Sequence, residues 1–506
     1  MEIGTVRWDV IIIGGGSAGC VLAARLSEDP RCSVLLVEAG PDYTDLASTP
    51  PDIAAGNQGS GRSHDWGYAT EPAEHIRSFA LPRAKLVGGC SATNAAVALR
   101  GVPGDYDEWA RLGNPGWSFD EVLPFFRRLE TDSDFAELYH GRGGPVPIRR
   151  YADNELTALQ QGFAQACLAT GYPAVADHNA PHAALGVGPF PMNNLGDIRQ
   201  SAALTHLLPA RGRPNLTIRH GVLVDRVVLS RSRAVGMRLA QPNETLSAER
   251  IVLAAGSYGS PAILMRSGIG PADHLARLDI SVQQDLPVGR SLIDHPLYHM
   301  QFSALQTGPL PELPAVQMLL TWSSSASGTG TLDLHIVAMS RYSWPQTSTG
   351  AAFRLLPGLM KPRSSGRLWL RSSDPSAAPC IDPGYFTDPA DMPRMIEAIR
   401  MTRVLARTPP LADLVLDEVA PGDDVENSDD ALRNAIYAGI LTYHHPVATC
   451  RMGPASDPGA VVDATGRVYG IEQLWVVDAS IMPTIPAANT NLPTIMVAER
   501  CAAWLQ

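Results

Sequence analysis

Asp9-Val10-Ile11-Ile12-Ile13-Gly14-Gly15-Gly16-Ser17-Ala18-Gly19-Cys20-Val21-Leu22-Ala23-Ala24-Arg25-Leu26 reads as strand, turn and helix in succession. Val10 to Ile13 form a short buried strand, and Cys20 to Leu26 suit a helix. Between them Gly14, Gly16 and Gly19 stand in Gly-x-Gly-x-x-Gly order. Such glycines allow a tight turn and let backbone approach a pyrophosphate over the helix N-terminus, beside Ser17 and Ala18. A second strand, Ser33 to Val37, ends at Glu38, where a carboxylate would meet ribose hydroxyls, with Ala39 next to it. The pattern predicts a bound dinucleotide but does not separate NAD from FAD.

The rest of the composition narrows the classes. Of 506 residues, 45% are hydrophobic and 18% charged, which excludes a disordered chain. A net charge of −11 with no basic stripe excludes a nucleic-acid partner. The longest apolar stretch, Ile251 to Met265, is broken by glycines, serines and Pro261, and a membrane span takes about 20 apolar residues. Met1-Glu2-Ile3-Gly4 lacks the basic start of a signal peptide. The seven cysteines are scattered and never spaced Cys-x-x-Cys, so reduced thiols in a cytoplasmic protein are expected. No metal site is expected either; His178 and His182 are separated by Pro181 and have no acidic motif. Only Lys85 and Lys361 are lysines.

Three longer segments extend the first motif. Arg83-Ala84-Lys85-Leu86-Val87-Gly88-Gly89-Cys90-Ser91-Ala92-Thr93-Asn94 resembles the first signature of the glucose-methanol-choline (GMC) oxidoreductases. Gly256-Ser257-Tyr258-Gly259-Ser260-Pro261-Ala262-Ile263-Leu264-Met265-Arg266-Ser267-Gly268-Ile269-Gly270 resembles their second. His445-Pro446-Val447-Ala448-Thr449-Cys450-Arg451-Met452-Gly453 is similar to the segment with their catalytic histidine. Weaker markers are Arg100-Gly101 with Asp105 to Trp109, Val288 to Pro296, and Val477 to Pro483. Ala84 and Ala448 stand where the family usually has Gly, Cys90 where Ser is common, and Ser291 where Asn is usual. The resemblance spans essentially the whole chain. It implies FAD, a small-molecule alcohol substrate, and dioxygen or another electron acceptor.

Within the family, Val461 to Gly470 and Pro486 to Thr494 look most like bacterial hydroxymethylfurfural oxidases, with aryl-alcohol and pyridoxine oxidases in close company. That likeness implies an aromatic or furanic primary alcohol oxidised to the aldehyde, and onward to the acid through the hydrate. The alternative is a dehydrogenase passing electrons to a quinone, with an aliphatic, choline, pyridoxine or sugar alcohol as substrate. An FAD-containing hydroxynitrile lyase is a remote third reading.

Alcohol oxidation takes a hydride from the carbinol carbon and a proton from its oxygen, so it needs a placed base, and imidazole titrates in the right range. The resemblance puts His445 at the base position. It puts Asn489, 44 residues further on, as the partner of the alcohol oxygen. It also implies FAD contacts from Arg83, Val87, Gly88, Gly89, Ser91, Asn94 and Ala95, from Val224 at the adenine, and from Ala255. Asp478 and Ala479 would serve the phosphates and ribityl chain. Asn489 and Thr490 open a C-terminal helix, about Leu492 to Trp504, whose positive end faces the flavin pyrimidine in the family fold. Thr93 stands where choline oxidases carry the histidine that bonds FAD covalently, so non-covalent FAD is expected. His444, Leu359 and Met360 are expected at the substrate pocket.

The fold expected is α/β. An FAD-binding Rossmann-like domain, built from 1–150, 205–305 and 435–506, interleaves with an α+β substrate domain built from 151–204 and 306–434. The latter should carry a large antiparallel sheet. Thr331 to Val337 and Gly366 to Leu370 suit strands, Ser428 suits a helix cap, and Leu305 to Ser327 and Ser343 to Gly350 suit surface loops.

Overall fold

The computed structural model describes residues 7–60, 63–136, 138–181, 185–305, 308–327 and 331–506. Arg7–Ile13 lies in the middle of a seven-stranded sheet. Across the sheet the order is Leu216–Arg219, Val34–Val37, Arg7–Ile13, Thr245–Leu253, Arg233–Leu239 and Val224–Ser230. Leu474–Val476 runs parallel to the end of Thr245–Leu253. The first four strands are parallel and the last two pair antiparallel. Val10–Ile13 and Val34–Val37 are buried at every residue. Successive strand side chains point to opposite faces, so both faces are covered, and the sequence shows unbroken apolar runs instead of alternation.

The helix Ser17–Leu26 follows the first strand and packs on the C-terminal helix Asn491–Leu505. Arg25 Nε donates to both Glu499 carboxylate oxygens at 2.9 Å. At the other end Ser17 Oγ donates to Asn491 Oδ1 at 2.8 Å, so the two helix N-termini lie side by side.

A second sheet of eight strands is antiparallel throughout. Its order is Val415–Ala420, Met300–Ala304, Ala351–Leu359, Leu334–Ser343, Val316–Trp322 and Gly186–Pro189. Pro296–Tyr298 pairs with both Ala351–Leu359 and Ile440–Thr442.

The α/β class read from the sequence holds, with local differences. The strand expected from Thr331 starts at Leu334, because the buried Asp333 carboxylate is turned to Ser324 N and Oγ, both at 2.7 Å. Arg367–Trp369 pairs with Cys380–Asp382 in a two-stranded sheet separate from the large one. The stretch expected as a loop from Leu305 to Ser327 contains the sheet strand Val316–Trp322, in which Val316, Met318, Leu319, Leu320 and Trp322 are apolar or aromatic; residues 306 and 307 lie outside the described residues. Ser428 caps Asp429–Gly439 as expected. Strands 296–304 and 440–442 belong to the second sheet, so the two sheets divide near 295 and 443, not at 305 and 435. That division falls at the histidines described next.

Candidate active site

The pairing of Pro296 with Thr442 puts the residues just outside the two strands against each other. Asp294 and His295 precede one strand, and Tyr443, His444 and His445 follow the other. Tyr443 N donates to His295 O at 2.9 Å, and Ile293 and Val447 exchange backbone bonds at 3.2 and 2.8 Å. The buried Asp294 carboxylate accepts from His445 N at 2.8 Å, Thr442 Oγ1 at 2.5 Å and Tyr385 OH at 2.7 Å. Burial pushes its carboxyl upward, against those hydrogen bonds. His444 has φ +70°, a left-handed turn that swings the next residue inward. Its carbonyl accepts from Arg83 Nη1 at 2.9 Å.

His445 is buried, and its two ring nitrogens face different partners. Nδ1 lies 3.0 Å from His295 Nδ1, and Nε2 lies 3.1 Å from Asn489 Nδ2. The Asn489 Oδ1 atom is buried with no protein partner. Burial, reinforced by His295, His444 and Arg83, holds the His445 ring well below the usual histidine range. It is therefore an unprotonated imidazole at neutral pH, as a base must be. Tyr443 lies against it, with ring centroids 4.6 Å apart. Leu297, Leu356, Met360, Ala487 and Ala488 complete an apolar wall.

The loop bearing Asn489 is anchored by a half-buried charge cluster. Lys361 Nζ donates to Asp105 Oδ1, Glu108 Oε2 and Ile485 O at 3.0, 3.1 and 2.9 Å. Asp105 Oδ2 accepts from Ala487 N at 2.9 Å. Burial opposes the lysine's charge, but the two carboxylates outweigh it and raise its pKa. One of only two lysines thus ties the substrate side to the turn that carries Asn489.

The glycine loops fit a dinucleotide. Gly14 has φ +104°, and a Cβ there would sit 2.5 Å from Ala254 O; a Cβ on Gly89 would sit 2.6 Å from Gly16 Cα. Gly88 N donates to Gly15 O at 2.7 Å, so the two loops meet backbone to backbone. A Cβ on Gly16 would meet nothing nearer than 3.9 Å, so the space over the helix N-terminus is open. Glu38 accepts from Gly15 N at 2.8 Å and Gly40 N at 2.9 Å, and burial raises its carboxyl. Loops, carboxylate and paired helix N-termini make a cradle for a pyrophosphate, so the residues present fit FAD.

Other expected contacts take part through the scaffold. Ser91 Oγ donates to Gly88 O at 2.5 Å and accepts from Ala202 N at 2.9 Å. Asp478 accepts from Gly256 N at 2.9 Å and Ser260 Oγ at 2.5 Å, which holds the helix Gly256–Arg266 against the 478–481 turn. Ala255 N in turn donates to Ser260 Oγ at 3.0 Å. Asn94 Oδ1 accepts from Ala96 N at 2.9 Å, and Val224 heads the strand Val224–Ser230. Val87 is buried, Ala95 packs near Ala96 and Val97, Ala39 adjoins Glu38, and Ala479 and Thr490 open helical turns. Leu359 is a correction to the expected pocket: it is fully buried in the main core, away from the residues packed on Tyr443, because Ala351–Leu359 alternates faces. Met360 packs beside Ala487, and its carbonyl accepts from His295 Nε2 at 2.9 Å. His444 is exposed. His178 is buried, and His182 lies outside the described residues.

Sequence reasoning gave no role to Asp294, His295, Tyr443 or Lys361. The signal for the first two was present in Val288 to Pro296, read only as a family marker. A separate buried cluster joins His140 to Asp132, Glu130 and Asp177 at 3.0, 3.1 and 2.9 Å. Arg150 and Arg100 pair with the same carboxylates. Burial opposes protonation of His140, but the three carboxylates push it up to about 10.

Comparison with known proteins places these features. Two family models described as GMC oxidoreductase match, the N-terminal one over residues 8–297 and the C-terminal one over 362–498. The chain is 35% identical to the oxygen-dependent choline dehydrogenase of Photobacterium profundum, covering 98% of this chain and 92% of that one. It is 35% identical to the mitochondrial choline dehydrogenase of Mus musculus, covering 99% and 90%. Among solved structures, pyridoxine 4-oxidase from Mesorbium loti superposes with a TM-score of 0.91 at 34% identity, covering 98% and 99%.

Proposed function

The chain belongs to the GMC oxidoreductase family and is an FAD-dependent oxidoreductase acting on CH–OH donors, and from that footing we propose that it oxidises a neutral aromatic or furanic primary alcohol to the aldehyde, with dioxygen as acceptor. The observation that carries this reading is the His445 Nε2–Asn489 Nδ2 pair set against the Tyr443 wall. Nearby carboxylates are already engaged: Asp294 by three donors, Asp105 and Glu108 by Lys361, and Asp333 by Ser324 and Arg394. A quaternary ammonium substrate would need a carboxylate or aromatic cage of its own, whereas a flat neutral ring needs only the apolar wall.

FAD, when bound, would supply the two-electron acceptor that alcohol oxidation needs, with dioxygen as the proposed final oxidant. The chain's own residues handle the proton. The alcohol hydroxyl enters between His445 Nε2 and Asn489, replacing their mutual hydrogen bond. His445 Nε2 accepts the hydroxyl proton as the C–H bond breaks, and Asn489 Nδ2 donates to the oxygen as negative charge develops on it. Tyr443 and the surrounding aliphatic groups keep water from that oxygen. Gly14 to Gly19, Gly88, Gly89 and Glu38 would hold the dinucleotide. Thr93, lacking a nucleophilic ring nitrogen, leaves FAD non-covalently bound. Seven free cysteines support a reducing, cytoplasmic setting.

Anaerobic mixing of the flavoprotein with benzylic, furanic, pyridoxine-like, aliphatic and choline alcohols tests this directly. Benzylic or furanic alcohols should bleach the flavin fastest, and air should restore its colour. Fastest bleaching by choline would favour the activity named for the relatives and overturn the neutral-substrate reading; bleaching that only a quinone reverses would overturn dioxygen.

A further inference from the structure

We propose that His295 is a positioning residue that fixes the tautomer of His445, placing the proton on Nδ1 and leaving Nε2 as the free base. The proposal rests on His445 being the base of the proposed reaction. The carbonyl of Met360 can only accept, so His295 Nε2, 2.9 Å away, carries the ring proton. A neutral imidazole has one N–H, so His295 Nδ1 is an acceptor. His445 Nδ1, at 3.0 Å from it, must therefore be the donor. The single proton of neutral His445 is then spent on His295. Its Nε2 keeps a lone pair, toward which Asn489 Nδ2 points at 3.1 Å. The opposite assignment would set the bare Nε2 of His295 against a carbonyl lone pair.

The acceptor at the head of this chain is itself held. Met360 N donates to Asp333 O at 2.7 Å, and the next residue, Lys361, is fixed by Asp105, Glu108 and Ile485. The two imidazoles stand nearly perpendicular, 85° apart with centroids at 5.2 Å, and meet through their Nδ1 atoms. Burial takes His295 down to about 3, and Lys361 adds to that, so it stays neutral beside a newly protonated His445. When His445 gains its second proton, its Nδ1–H bond to His295 becomes charge-assisted without any movement.

A hydrogen bond on one ring nitrogen setting the task of the other is a general device. A carboxylate in the place of His295 would also raise the pKa of the base. A neutral histidine sets the tautomer without adding negative charge, and His445 stays unprotonated.

Oxidised holoenzyme carrying 15N-labelled histidine tests the assignment by NMR, with the His445 signals identified by their absence from His445→Ala. The wild type should show His445 with Nδ1 protonated and Nε2 bare. His295→Leu should lose that preference. Flavin reduction at saturating alcohol should then fall about 100-fold, with alcohol affinity changed little. His295→Gln, whose amide both accepts and donates, should recover most of the rate and the tautomer. A wild-type His445 protonated on Nε2, or a leucine variant reducing its flavin at near-wild-type rate, overturns the proposal. If His295→Leu loses FAD, the wild-type spectrum and the glutamine variant decide. An active His445→Ala would instead defeat the proposed function, while the tautomer measurement would still be decided by its own spectrum.

Discussion

At the Gly14–Gly19 turn the site is made of backbone, and at the His295/His445 corner it is made of side chains. The turn depends on the absence of Cβ atoms within a few residues of each other in sequence, together with one partner loop at Gly88–Gly89. The corner depends on hydrogen bonds among residues 294–295, 360–361, 443–445 and 489, brought together only when the second sheet and the C-terminal loop are in place. A backbone site fails by steric exclusion and takes the cofactor with it. A side-chain site can lose its chemistry and keep its shape.

The largest separation between the two regions should come from Gly14→Val. Its Cβ would press on Ala254 O at a φ that branched residues avoid. The variant should lose nearly all its FAD on gel filtration, read as flavin absorbance per protein. Full retention of FAD would break the distinction. Asn489→Ala should do the reverse, keeping FAD while slowing flavin reduction about 100-fold and raising apparent KM. Loss of flavin from that variant would mean that the corner also holds the cofactor.

A third variant probes a cluster that belongs to neither region. His140 is raised to about 10 by its carboxylates, against an unfolded value near 6.5. Its contribution to stability is complete below about pH 6.5 and is lost as pH climbs through 10. Urea titrations from pH 6 to 10 should show wild-type stability falling over that window. His140→Gln should be about 3 kcal/mol less stable at pH 6 and should lack that part of the slope, with flavin reduction at pH 7 unchanged. A parallel slope in both proteins would contradict the assignment.

The smallest effect is expected at Ala448, which has φ +72° where the resemblance expects glycine. The left-handed conformation costs a Cβ residue about 1 kcal/mol. Ala448→Gly should therefore raise stability by up to about 1 kcal/mol in thermal unfolding and leave FAD content unchanged. A lower melting temperature would show that the alanine methyl earns more through its burial than the strain costs.

The same contrast explains what could be read from the sequence. The dinucleotide loop was legible because its requirements are local: an apolar run, three spaced glycines, a helix and an acid. The His445–Asn489 pairing was legible only through resemblance, since a spacing of 44 residues says nothing about distance without the fold. His295 lies within the Val288 to Pro296 marker, but its role is not legible there, because its partners are a carbonyl at Met360 and a ring at His445. Leu359 was misplaced since neighbouring strand residues face opposite ways. Thr331 to Asp333 looked like strand by alternation, yet Asp333 is a buried anchor for Ser324 and Arg394.

In the proposed reaction His445 takes the alcohol proton. Anaerobic stopped-flow reduction of the bound flavin by benzyl alcohol, in wild type and His445→Ala at equal FAD content, tests it most directly. The wild type should bleach rapidly and the variant roughly 1,000-fold more slowly. Equal rates in the two proteins would contradict it.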